Sequence, residues 1–144
     1  GRPAAEIPQP GAGAGASGMN PNRLPDYLDP VRLAAGDACS FIEGLDKDDF
    51  LADKRTQQAV ILNLIIMGEA ATHIMKDHAD FIVRQPEVPW REMKGMRNRI
   101  AHGYFDINLD VVWDTVKTAL PQLLERLPAL QVVAKREARN GTGS

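Results

Sequence analysis

Residues 97 to 105 read RNRIAHGYF, and this run gathers Arg97, Asn98, Arg99, His102 and Tyr104 inside an otherwise apolar, helix-forming chain. A histidine can move protons, and a guanidinium can hold charge as it builds on a phosphate. The reaction these groups suit is cleavage of RNA, whose 2′-hydroxyl is a built-in nucleophile; DNA lacks that hydroxyl and should resist. On a helix, Asn98 and His102 are four residues apart and share a face, whereas Arg97 lies about 140° round the axis from His102 and would have to swing across. The C-terminal end of a helix favours a cation, which suits an imidazole that must gain and lose a proton. Cleavage needs one acid and one base, and each chain offers one suitable histidine. Two copies brought together about a two-fold axis would complete the site.

Charge is placed to help. From Arg84 to Tyr104 five basic residues, Arg84, Arg91, Lys94, Arg97 and Arg99, stand against Glu87 and Glu92. That local excess sits in a chain of net charge −2, which by itself exerts no pull on nucleic acid. Arg91, Lys94 and Arg99 are candidate RNA contacts, with a solubilising surface as their ordinary alternative. Tyr104 is either a packing aromatic or a reachable hydroxyl. Glu69, polar within the most apolar helix, could hold Arg97 or Arg99 in place; Asn63 in the same helix is expected to find a structural hydrogen bond. His73 and His78 are five apart, not at the i, i+4 spacing of helix-borne zinc ligands, so neither a metal site nor any other cofactor is expected.

The elements that must position these groups all carry helical periodicity. Asp29 followed by Pro30 reads as an N-cap and first helical residue, with Val31, Ala34, Ala35, Ala38, Phe41, Ile42 and Leu45 following at helical spacing. Asp48 or Asp49 can cap a second start. From Gln57 to Met75 the chain is apolar on nearly every side and belongs in the centre of a bundle. A short helix over 79–83 ends before QPEVP, a stiff connector. A further helix runs from Trp90, with Met93, Met96 and Ile100 on one side, to Gly103, which can break it. Asn108 caps the last helix, whose stripe of Leu109, Val112, Val116, Leu120, Leu123, Leu124 and Leu127 is interrupted by Pro121, where a kink is expected. The reading is an all-α bundle of four to five helices.

Residues 1–18, rich in Pro, Gly and Ala without apolar periodicity, are expected to be a disordered tag or linker ahead of a start at Met19. A single domain then spans 19–134, and 135–144 is expected to fray. The single cysteine, Cys39, excludes an internal disulfide and reads as a small buried residue. The methionines are expected to fill gaps in the core or between copies. The longest apolar run is about half a membrane span, so a cytoplasmic protein with no membrane contact is expected.

The motif Arg97-Asn98-x-x-x-His102-x-Tyr104 resembles the R-x4-H-x-Y signature of HEPN-domain toxins, in particular the HepT family. Residues 86–127, PEVPWREMKGMRNRIAHGYFDINLDVVWDTVKTALPQLLERL, are similar in the approach to the motif and in the closing helix. The resemblance implies a HEPN-like helical bundle that forms a homodimer with motifs facing each other. It implies a metal-independent endoribonuclease, the toxin of a type VII toxin–antitoxin system, paired with a minimal nucleotidyltransferase antitoxin, MntA. Arg97 and His102 would be catalytic, Asn98 a supporting polar group, and Tyr104 the hydroxyl to which the antitoxin attaches AMP. An adenylyl group there would set bulk and negative phosphate two residues from His102, repelling RNA. The alternative is a non-catalytic helical partner, docking to or presenting substrate for a nucleotidyltransferase.

Overall fold

The computed structural model describes residues 23–143, with side chains to Arg139. The expected tag at 1–18 lies outside the described residues. Everything described is helix or turn: α1 (Leu24–Phe41), α2 (Lys47–Ala52), α3 (Lys54–Asp77), α4 (Ala79–Val83), α5 (Trp90–His102), a 3₁₀ turn (Tyr104–Asp106), α6 (Leu109–Asp114), a π-helical turn (Thr115–Ala119) and α7 (Leu120–Gly143). There is no strand among the described residues, so the expected all-α bundle is the fold.

α1 begins earlier than Asp29. It starts at Leu24, with Pro25 in its first turn and Pro30 inside the helix. An interior proline costs about 3 kcal/mol, but Leu24 and Leu28 on the added turn are buried to within 1%, and two such side chains contribute roughly 3–6 kcal/mol. Burial wins, and the helix extends back through Pro30. The cap of the next helix also differs from expectation. Asp46, not Asp48 or Asp49, caps α2: its Oδ1 accepts from the Asp49 backbone N–H at 2.8 Å, while Asp49 Oδ2 accepts from the Asp46 N–H at 3.1 Å. Asp53 caps α3, accepting from the Thr56 N–H and hydroxyl at 3.2 and 2.7 Å; these bonds hold its carboxyl below the usual carboxylate range.

α3 lies between α1 and α5, and α1 also packs on α7. Ala34, Ala35 and Ala38 of α1 and Ala70 and Ala71 of α3 are all buried. By length and composition α3 could cross a membrane, yet half of that stretch is buried in the bundle, against α1 and α5. Asn63, buried within it, donates to Ala59 O at 2.9 Å, the structural bond its position requires.

Just before Pro121 the helix passes through the π turn. The Leu120 N–H bonds Thr115 O, and Pro121 has no N–H to offer, so Val116 O is left to another donor. Cys39 supplies it: Sγ lies 3.7 Å from Val116 O across the α1 interface, and burial pushes the thiol up from its ordinary value. Beyond it α7 does not fray at residue 135 but stays helical to Gly143. Leu130 and Ala134 are buried, Glu137 pairs with Arg84 of the connector after α4, and Arg126 lies 3.7 Å from Glu87. These tertiary anchors lie beyond the reach of a local reading.

Candidate active site

α5 carries the motif, and its first two turns and Ile100 anchor it through buried Trp90, Met93 and Ile100. Where α5 crosses α3 the two helices approach closely at Gly68. A Cβ on Gly68 would lie 2.2 Å from Arg97 Cβ and 2.8 Å from Met93 O, so only glycine lets the two helices come this close. The crossing sets the base of the Arg97 side chain directly on α3.

From there Arg97 does not swing toward His102. It runs along α3, where its Nε lies 3.0 Å from Glu69 Oε1 and its Nη2 donates to Thr72 Oγ1 at 3.2 Å. The Nε–H is not aimed at the carboxylate, so the Glu69 contact is an ion pair without a formed hydrogen bond. Thr72 is itself fixed, its hydroxyl donating to Gly68 O at 2.7 Å. Arg97 is thus held at two points by one turn of α3, 23% exposed beside a half-exposed Glu69. The expected partner Glu69 meets Arg97 and not Arg99. Gly68 and Thr72 escaped the sequence reading; a glycine inside an apolar helix was the available signal.

Asn98 is half-buried on α5, and His102, its last residue, is exposed. Gly103 ends the helix, its N–H bonding Arg99 O at 2.9 Å. Tyr104 follows in the 3₁₀ turn, 47% exposed, with the Phe105 ring perpendicular to it at 6.0 Å. Arg91 is exposed and Lys94 half-buried, and Arg99 lines a hollow of about 280 Å³ on the far flank of α5, with Met67, Met93, Met96, Val111 and Leu120. Within one chain, then, Arg97 and His102 stay apart, about 140° round the helix axis.

The other histidines are structural. The His73 ring stacks on Tyr27 at 5.2 Å, and His78, 8% exposed, meets the same ring edgewise at 6.0 Å. Burial holds His78 below the ordinary histidine value. Among the described residues no group of three or more His, Cys, Asp or Glu side chains gathers as a metal site would.

An all-helical bundle that presents R-x4-H-x-Y at the C-terminal end of a helix is the arrangement of the HEPN class. The chain belongs to the ribonuclease HepT-like family, whose sequence profile matches residues 31–130, and its enzyme class is that of a ribonuclease. It is 41% identical over 106 residues to "Probable ribonuclease HepT" of Thermococcus cleftensis, covering 74% of this chain and 94% of that one. Two Methanocaldococcus jannaschii proteins, each named a "Putative RNase", are 37% identical over 91 residues (63% of this chain, 73% of the other) and 34% identical over 105 (73% and 94%). No solved structure matches.

Proposed function

We propose that this chain is the toxin of a type VII, HEPN/minimal nucleotidyltransferase toxin–antitoxin pair: a metal-independent endoribonuclease that works as a homodimer and is silenced by AMPylation of Tyr104. One observation carries the reading. Arg97 is pinned to α3 by Glu69 and Thr72 while His102 opens to solvent and Asn98 is half-buried. A preorganised guanidinium and an accessible imidazole are what stabilising a charged phosphorane and moving a proton require.

The two groups of one chain lie on different flanks of α5, so the chemistry is completed by a second copy. The outer stripe of α3 supports such a partner: Leu62 is 56% exposed and Ile66 38%, and both lie on the helical face that leads to Glu69. Covering that stripe with a second α3 brings the two motifs to one cleft. There the 2′-oxygen of RNA gives its proton to one imidazole and forms a bond to phosphorus. The bond from phosphorus to the 5′-oxygen breaks, and that oxygen takes a proton from the imidazolium of the second copy. The products are a 2′,3′-cyclic phosphate and a 5′-hydroxyl, and the two Arg97 side chains hold the charge on the phosphoryl oxygens between them.

The test is cleavage of single-stranded RNA by the full chain in excess chelator. Wild type cuts; Arg97→Ala and His102→Ala, still dimeric, do not. Unchanged cleavage by either variant removes the assignment. For regulation, incubation with a minimal nucleotidyltransferase and ATP adds multiples of an AMP mass that Tyr104→Phe lacks. No mass gain on wild type removes that part.

A further inference from the structure

Phe105 has no place in the motif chemistry, and its ring is 98% exposed. Burying a phenylalanine contributes roughly 1.5–3 kcal/mol, and nothing in the bundle collects it. The ring stands perpendicular to Tyr104, making a corner. That corner walls a hollow of about 340 Å³ whose other lining includes Lys54, Gln57, Gln58 and Ile61 from the start of α3. The Gln57 amide nitrogen donates to Phe50 O and Leu51 O, both at 3.0 Å, which fixes that wall to the end of α2. Lys54 and Gln58 are exposed. The hollow therefore combines an aromatic corner, one free-reaching cation and an amide, the combination that single-stranded nucleic acid uses: a stacking face for the base and positive charge for its phosphate. Its distance from the chemistry is short, because three residues of chain place Phe105 Cα within roughly 11 Å of His102 Cα.

We propose that Phe105, with Tyr104 at its edge, is the stacking platform for the nucleobase of single-stranded RNA next to the cleaved phosphate, and that Lys54 meets the phosphate of that nucleotide. The proposal rests on the ribonuclease reading of Arg97 and His102 and adds to it the site that grips the substrate. It also gives a second route by which a group on Tyr104 blocks RNA, since the modified side chain would occupy the corner where the base sits.

The experiment is equilibrium binding of the full chain to a fluorescent single-stranded RNA with methylated 2′-hydroxyls, which cannot be cut by attack of that oxygen. Phe105→Ala binds roughly 5- to 150-fold more weakly, the range for losing one base stack, and Phe105→Trp binds at least as well as wild type. A single abasic nucleotide at the gripped position weakens wild type by the same factor and leaves Phe105→Ala unaffected. Affinity unchanged in Phe105→Ala overturns the proposal. So does a loss that tracks dissociation of the dimer by sedimentation, which makes Phe105 a contact between copies. Cleavage of unmodified RNA is measured in parallel. A wild type that binds through Phe105 but does not cut leaves the platform and sinks the nuclease, whereas equal kcat/KM for wild type and Phe105→Ala sinks the platform and leaves the nuclease.

Discussion

Replacing Gly68 by alanine tests whether the α3–α5 crossing positions the guanidinium. The added methyl would sit 2.2 Å from Arg97 Cβ and 2.8 Å from Met93 O. Non-bonded carbons rest about 3.5–4.0 Å apart, so the helices must part by roughly 1.3 Å or more. Neither obstructing atom can rotate away, since one is backbone and the other is fixed to it. That places the cost at the upper end of overpacking, about 3 kcal/mol, against which alanine's better helix propensity returns about 1 kcal/mol. For a chain of this size a net loss of about 2 kcal/mol lowers Tm by roughly 8 °C. The same displacement moves Arg97 relative to the phosphate, and a misplacement near 1 Å costs on the order of 100-fold in rate. Calorimetry gives the first number. RNA cleavage at room temperature, well below the lowered Tm, gives the second. A Gly68→Ala protein with wild-type Tm and wild-type cleavage would refute the close crossing and the role assigned to it.

Glu69→Gln separates position from stability: a half-exposed pair contributes less than about 1 kcal/mol, so Tm should barely move while kcat falls several-fold at little-changed KM. Wild-type kcat in this variant would show that Thr72 alone suffices to aim Arg97. His78 governs an acid-side loss. Its folded value lies below the ordinary one because burial disfavours the charged ring, so the unfolded chain takes up the proton first. Stability is full above about pH 6.5 and declines as the pH falls from there through the lower folded value. His78→Phe, which also removes the buried and unpartnered Nε2, should flatten Tm between pH 7 and 5.5 relative to wild type; an unaltered slope would assign the loss to carboxylates instead.

Much was written locally. Apolar spacing gave the helices, Asn108 capped α6 as its type and position required, accepting from the Asp110 and Val111 N–H groups at 3.0 and 3.2 Å, and Gly103 stopped α5. The motif residues could be named as candidates because their types and spacing are visible without reference to packing. What failed were the boundaries that long-range burial decides: the start of α1, set by Leu24 and Leu28 in the core, and the end of α7, set by Arg84 and Glu137. Which aspartate caps α2 was not legible because Asp46, Asp48 and Asp49 offer the same side chain within four positions, and the backbone alone selects among them.

Residue types and helical period, which are properties of neighbours along the chain, determined that this protein is a helical bundle with Arg97, Asn98, His102 and Tyr104 gathered at the end of one helix. Only the tertiary structure decided which way Arg97 points. Its direction depends on Gly68, Glu69 and Thr72, nearly thirty to twenty-five positions earlier in the sequence, meeting it across a helix crossing that no local pattern encodes. Side-chain direction at a crossing is fixed by the partner helix, and that partner is chosen by the packing of the whole core.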